Sequence, residues 1–181
     1  MTSISLKSLT LNQQLFKKIY FNIKGKQKSS AEYKLLGHNI YQWLLYYDPN
    51  YTKNILLSKL MEDIEDILDT ILGILEFMKA PSSLLSHIIC NANKFLRRTG
   101  IMHSQLFNLL LTSTIVTIKF WSESIPMRNS MFADIFRFEV KDINVMERRF
   151  LIGIDYKLAI TEKQIEIFFR LMSTSEKKQS K

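Results

Sequence analysis

The sequence predicts an all-α protein, and three observations carry this prediction. The chain of 181 residues contains only five glycines and three prolines, which argues against a turn-rich β-protein. No segment shows a sustained alternation of apolar and polar residues, the pattern of a half-buried strand. Residues 103–122 are apolar nearly all round a helix, and such a helix belongs in the centre of a bundle. We therefore expect five central helices around this apolar one, with extra helices N-terminal to them and one helix C-terminal.

The segments before the apolar helix are predicted from apolar spacing and from helix breakers. Residues 5–20 form a first amphipathic helix, and the polar residues 25–30 are a linker. Apolar residues at three- and four-residue spacing predict a helix over 31–47. Asp48-Pro49-Asn50 ends it, because proline disfavours helix in the residue before it. The next predicted helices cover about 52–60, either as a separate short helix or continuing directly onward, then 61–79 and 82–98, the last of them capped by Pro81-Ser82-Ser83.

The segments after the apolar helix are shorter. Pro126 breaks the chain, and Thr161 with Gln164 forms a capping box that opens a final helix to about residue 173. Ile143, Met146, Phe150 and Leu151 are expected to face inward from one of the intervening helices. The elements predicted between Pro126 and Thr161 are a short helix at 129–136, a helix at 141–153 and an extended link at 156–160.

Composition bounds the class of protein before any motif is used. The length suits one domain, and a hydrophobic content of 46% excludes disorder as the overall state. The single cysteine, Cys90, permits no internal disulfide and is expected to be a small core residue in a reducing compartment. The first residues lack a continuous apolar stretch, and no run of 18 apolar residues exists. These features predict an intracellular protein of the cytoplasm, the nucleus or both, with no membrane partner.

The net charge of +8 is concentrated at the termini. Residues 1–30 hold six lysines and no acid, whereas residues 31–175 are neutral in sum. A domain that neutralises phosphates carries its cations on a structured face, so nucleic acid is an unlikely partner and a solvated basic tail is expected. We accordingly expect the core to stay folded when residues 1–28 are removed.

The residues that could carry chemistry form no constellation. Five carboxylates crowd the first half of the 61–79 helix, but no histidine or cysteine lies near them, so a solvated acidic face is expected rather than a metal site. The three histidines are scattered, and no glycine-rich phosphate loop exists. The sequence therefore predicts no catalytic residues, no metal and no cofactor. The carboxylates are Glu62, Asp63, Glu65, Asp66 and Asp69.

Three segments in the second half of the chain resemble a known family when they are taken in order. They are LFNLLLTSTIVTIKFWSE at 106–123, NSMFADIF at 129–136 and INVMERRFLIGIDYKL at 143–158. They resemble the third, fourth and fifth helices of a cyclin box, and in detail they are most similar to the P-type (phosphate-response) cyclins. In that subfamily the third helix follows a histidine, here His103, and ends in a lysine–aromatic pair.

The resemblance implies a regulatory protein rather than an enzyme. In cyclins the lysine that ends the third helix and the glutamate of the fifth form a polar pair that binds backbone groups of a cyclin-dependent kinase. The corresponding residues are Lys119 and Glu147, and we expect them to lie in contact. The resemblance implies a heterodimer in which the kinase is activated by positioning its mobile helix and activation segment. The apolar residues that match the kinase-facing surface are Val116, Phe120, Leu151, Tyr156 and Leu158.

The resemblance also implies a division of the chain. The predicted parts are a basic N-terminal segment at 1–30, helical or mobile, a flanking helical region at 31–60, a single cyclin box at 61–160, and a C-terminal helix with a basic tail at 161–181. A second function remains open: a cyclin-fold or other helical scaffold that binds transcription proteins or nucleic acid without a kinase. Tandem boxes and basic structured helices would favour the scaffold, whereas a single box and a neutral core favour the kinase regulator.

Overall fold

The computed structural model describes residues 8–124 and 126–179, with side chains to residue 174, and in these residues it is all-α. The predicted fold class is confirmed, because the described residues contain helices and no strand. The α-helices are α1 (Leu11–Ile23), α2 (Ala31–Tyr47), α3 (Pro49–Lys53), α4 (Leu57–Phe77), α5 (Leu84–Thr99), α6 (Leu106–Trp121), α7 (Asn129–Phe136), α8 (Val140–Gly153) and α9 (Glu162–Gln179). A short 3-10 turn, His103–Gln105, leads into α6.

Helix α6 lies at the centre of the molecule, as its apolar sequence predicts. It packs against α4, α5 and α8, and every residue from Leu109 to Ile118 is buried. Two of its buried hydroxyl groups donate hydrogen bonds to backbone carbonyls. Thr114 donates to a carbonyl of its own helix, and Ser113 donates to the Ile88 carbonyl of α5 at 2.7 Å. Because small hydroxyl side chains can be satisfied this way, they allow neighbouring helices to approach α6 closely.

The predicted boundaries hold best where a strong breaker or cap is present. Helices α2 and α7 have the predicted bounds, and the predicted capping box of α9 is confirmed by the bonds between Thr161 and Gln164. Three details were wrong. The helix expected at 5–20 begins at Leu11 and continues to Ile23, and residues 5–7 of that prediction lie outside the described residues. In place of the short helix expected at 52–60, the chain forms α3, which ends at Lys53, and the first turn of α4, which begins at Leu57. Helix α3 begins at Pro49, where Asp48 accepts a hydrogen bond from the Tyr51 amide. Ser83 makes no side-chain cap, so a turn rather than a capping hydroxyl precedes α5.

The N-terminal basic segment is not a free tail where the structure describes it, because α1 packs against α4 and α7. The ring of Phe16 lies over Gly73 of α4 and edge-on to Phe136 of α7, with a centroid distance of 5.2 Å. The start of α1 is also held, because Thr10 donates to the Asp134 carboxylate at 2.9 Å. The solvated tail that charge alone predicts is thus replaced, over residues 10–28, by a docked helix and its following turn.

The acidic residues of α4 are the partners of this basic segment. Lys24 pairs with Asp66 at 3.0 Å, and Lys28 pairs with Glu65 at 2.7 Å. The prediction of a solvated acidic face is wrong for Asp69, which is 3% exposed and accepts hydrogen bonds from the Gly25 amide and the Tyr33 hydroxyl. Burial raises the pKa of the Asp69 carboxyl above its usual range, and these two donors oppose that rise.

Candidate functional site

The end of α6, the start of α7 and the middle of α8 meet at one edge of the bundle, where they bring Lys119 and Glu147 together. Lys119 ends the apolar run of α6, and Glu147 lies one turn after the buried Ile143 and one turn before the buried Phe150 of α8. The Lys119 ammonium donates to both Glu147 carboxylate oxygens, at 2.9 and 3.0 Å. The predicted contact is therefore confirmed across 28 residues of sequence.

A third residue, Asn129 at the start of α7, completes this network. Its Oδ1 accepts a hydrogen bond from Lys119 at 2.8 Å, and its Nδ2 donates to Glu147 Oε2 at 2.6 Å and to Asn144 Oδ1 at 2.7 Å. We call Lys119, Asn129 and Glu147 the clamp. Sequence reasoning missed Asn129, although a polar residue at the first position of a short helix between the lysine and the glutamate was available as a signal.

The clamp is ordered and still open to a partner. The side chains of Lys119 and Glu147 are 30% and 17% exposed, so neither is sealed in the core. An ammonium has three donors, and Lys119 uses three hydrogen bonds within the clamp. A carboxylate offers about four acceptor positions, and three bonds from Lys119 and Asn129 reach Glu147. One acceptor position of Glu147 therefore stays available to an N–H group of another molecule.

Most of the predicted apolar residues lie on the surface near the clamp. Phe120 and Tyr156 are 46% and 67% exposed, and with Leu158 they line one groove. Leu151 lines a shallow depression together with Glu147. We call Phe120, Leu151, Tyr156 and Leu158 the apolar rim.

Val116 does not belong to the apolar rim. Its side chain is 2% exposed because it lies one turn before Phe120 on the inward face of α6. It is packed in the hydrophobic core, so a direct contact with a partner is not available to it in this structure. The correction follows from the helix itself, since α6 is buried up to Ile118 and emerges only at its last turn.

The link after α8 has an unusual backbone that displays Tyr156. Asp155 and Tyr156 both have positive φ angles, 53° and 57°, although neither is glycine. The Tyr156 amide donates to the Leu151 carbonyl at 2.8 Å, which closes the end of α8. Arg98 of α5 holds the same link, because it donates to the Gly153 carbonyl and pairs with Asp155. This turn directs the chain from α8 to α9 and leaves the Tyr156 ring in solvent.

Other predicted features have no part in this site. Cys90 is buried, and burial raises the pKa of its thiol to about 12, so it is a core residue as expected. Within the described residues no group of three or more histidine, cysteine or carboxylate side chains is placed to hold a metal ion. No helix in that part of the chain has both the length and the apolarity needed to cross a membrane.

The described residues therefore form a helical bundle that carries the polar clamp beside the exposed apolar rim. Residues 83–158 match the family model of the cyclins, described as Cyclin, and this match supports a cyclin. The cyclins are regulatory, non-catalytic subunits. The match covers α5 to α8 and the link that follows, and it includes the clamp. Helix α4, which was predicted as the first helix of the box, lies before the matched residues. No curated protein and no solved structure matches the chain.

Proposed function

We propose that this chain is a regulatory cyclin that binds and activates a cyclin-dependent protein kinase. The observation that carries the proposal is the clamp, in which Lys119 and Glu147 meet at an accessible edge within the cyclin-matched residues. In this role the clamp binds backbone groups of the kinase, and the apolar rim packs against its mobile helix and activation segment. The kinase is inactive alone because these two elements are misplaced, and binding selects their active arrangement.

The physical support is preorganisation. Three helices hold the clamp before any partner arrives, so little side-chain entropy is lost when it binds. The apolar rim supplies the exposed aromatic groups that are enriched at the energetic centre of interfaces. Asn129 stabilises the pair from α7, and the geometry of the clamp therefore depends on the packing of α6, α7 and α8 together.

The subfamily is a further part of the proposal. The order of the three sequence segments, with His103 before α6 and Lys119-Phe120 at its end, supports a P-type cyclin built on a single box. The proposed domain division keeps the box at 61–160, preceded by α1, α2, α3 and the first turn of α4 and followed by α9.

The test is to purify the tagged chain from cells, identify any kinase that accompanies it, and measure binding and kinase activity with the purified pair. Lys119→Ala or Glu147→Ala leaves the other half of the clamp without its ionic partner at an interface, which costs about 2–5 kcal/mol of binding. That loss corresponds to a decrease in affinity of about 30-fold to several-thousand-fold. Each isolated variant is expected to stay folded by circular dichroism, since a partly exposed ion pair contributes only about 1 kcal/mol to stability.

Lys141→Ala is the matched control, because Lys141 is exposed on the same helix as Glu147. It is expected to bind and activate the kinase as the wild type does. Unchanged binding and activity in both clamp variants would remove the clamp as the site, and a scaffold role without a kinase would then explain the chain better.

A further inference from the structure

A basic groove lies beside the apolar rim, although the sequence of the core is neutral in sum. Its volume is about 600 Å³, and α5, the end of α6, the link after α8 and the start of α9 form its walls. Phe120, Tyr156 and Leu158 supply its apolar lining. Four cationic side chains also line it: Lys94, Arg97, Arg98 and Lys157.

Among the described residues, three of the four cations in the groove have no carboxylate partner, and no acid lines the groove. Lys24, Lys28, Lys59 and Lys119 each pair with an acid. In the groove only Arg98 is so paired, with Asp155. In the described part of the chain, Lys94, Arg97 and Lys157 form no ion pair, so the groove carries a local excess of positive charge.

The cations are held close together by the fold. The Lys94 ammonium donates to the backbone carbonyl of Lys157 at 2.9 Å, which ties α5 to the link after α8. Burial lowers the pKa of Lys94, and the charge of Lys157 lowers it further. The dipole of α5 favours Arg97 and Arg98 in its last turn, but it gives no reason for Lys157, which comes from another segment. An anion in the groove would offset the electrostatic repulsion between these cations.

We propose that the basic groove binds an anionic peptide segment of a partner protein, through a phosphorylated or carboxylate side chain. The proposal rests on the proposed function, because the groove shares Phe120, Tyr156 and Leu158 with the apolar rim and so continues the kinase-binding surface. A peptide fits better than a nucleic acid, since one compact groove with four cations matches a short acidic segment rather than a long phosphate backbone. The partner segment belongs to the kinase itself, because the groove continues the surface that the kinase is proposed to cover.

The test measures peptide binding to the full isolated chain by fluorescence polarisation, without a kinase. The probes are three short labelled peptides of one sequence that carry phosphothreonine, glutamate or threonine at the central position, together with a single-stranded oligonucleotide. We expect the phosphothreonine and glutamate peptides to bind and the threonine peptide to bind at least about tenfold more weakly, since charge-assisted hydrogen bonds are lost. The phosphothreonine-to-glutamate ratio distinguishes a phosphate site from a site for carboxylates.

Two groove variants and one matched control complete the design. The triple variant Lys94→Gln, Arg97→Gln, Lys157→Gln is expected to lose at least about tenfold in affinity for the anionic peptides. The double variant Arg97→Gln, Lys157→Gln keeps the partly buried Lys94 and its bond to the backbone carbonyl at position 157, and circular dichroism checks that this variant is folded. The control changes the same net charge at exposed residues of other surfaces and is expected to bind as the wild type does: Lys17→Gln, Lys18→Gln, Lys141→Gln.

Several results would overturn the proposal. They are equal binding of all three peptides, equal losses in the groove and control variants, and tighter binding of the oligonucleotide than of either anionic peptide. Because no kinase is present, these failures leave the proposed function standing. Loss of kinase binding in the clamp variants with intact peptide binding would, conversely, test the clamp alone.

Discussion

Truncation of Phe16 measures how much α1 stabilises the rest of the molecule. The Phe16 ring is partly buried, packs over Gly73, and lies edge-on to Phe77 and Phe136 at centroid distances of 6.2 and 5.2 Å. Replacing a fully buried phenylalanine by alanine costs about 3–5 kcal/mol, so a partly buried one is expected to cost about 2 kcal/mol. In a protein of this size that loss lowers the melting temperature by about 4–8 °C.

The assay is thermal and urea unfolding followed by circular dichroism, with Phe21→Ala as the matched control. Phe21 lies on the same helix but is 64% exposed, so its removal is expected to change the unfolding free energy by less than about 0.5 kcal/mol. Removal of residues 1–28 is expected to destabilise the protein more than Phe16→Ala does, because it also removes Lys24, Gly25 and Lys28 from α4. A melting temperature of Phe16→Ala within a degree of the wild type would refute a stabilising role for α1.

Two further predictions concern packing and a buried carboxylate. Gly153→Ala would place a Cβ atom 2.5 Å from the Phe95 ring, so it is expected to destabilise the α5–α8 contact by about 1–3 kcal/mol in urea unfolding. Tyr33→Phe removes a donor at 3.0 Å from the buried Asp69 and is expected to cost about 1–3 kcal/mol at pH 7. Losing that donor raises the folded-state pKa of Asp69 further, because the folded protein then holds the ionised carboxylate less favourably. The lost unfolding free energy is therefore largest where Asp69 is ionised. It shrinks in unfolding titrations as the pH falls from 7 towards 4 and the carboxylate takes up a proton.

Each of these predictions has a control of the same type. Gly37→Ala meets its nearest neighbour, Leu68, at 3.6 Å, an ordinary contact, and an alanine within α2 is expected to be neutral or stabilising by up to about 1 kcal/mol. Tyr46→Phe alters a ring that is 78% exposed and is expected to leave the unfolding curve unchanged at both pH values. A Tyr33→Phe cost that stays constant with pH would show that Asp69 is not the group affected. If Gly153→Ala were as stable as Gly37→Ala, the close packing of Phe95 on α8 would be disproved.

The fold was predictable from the sequence because its strongest signals are local. Apolar spacing in α2 and the all-round apolarity of α6 depend on residues within one helix, and Asp48-Pro49 marks an end regardless of tertiary context. The position of α3 was less predictable. Asp48 caps it with a side-chain bond that the breaker pattern alone could not distinguish from a loop.

The candidate site was only partly predictable. Lys119 and Glu147 could be paired because a family resemblance relates residues that are far apart in sequence. Asn129 was missed, since its role depends on where α7 places it between two other helices. Val116 was misplaced on the surface because a helix that is apolar all round gives no sequence signal for the turn at which it leaves the core.

The uneven distribution of charge in the core could not be predicted from its net charge. Residues 31–175 are neutral in sum, yet the acids cluster on α4 while unpaired cations gather in the basic groove. Net charge is a property of the whole segment, whereas pairing depends on which helices adjoin. Lys24 and Lys28 pair with acids of α4, whereas Lys94 and Lys157 do not, because α4 is not among the elements that line the groove.

The left-handed conformation of Tyr156 has a consequence for anyone engineering this protein. A residue other than glycine or asparagine in that conformation costs roughly 1–2 kcal/mol, and here the side chain is an exposed ring that recovers little of the cost by burial. Glycine at this position would make the free chain more robust to heat, but it would delete the most exposed aromatic group of the apolar rim. Screens that select only for thermostability would therefore tend to erase the binding surface at residue 156, so they need a binding readout alongside.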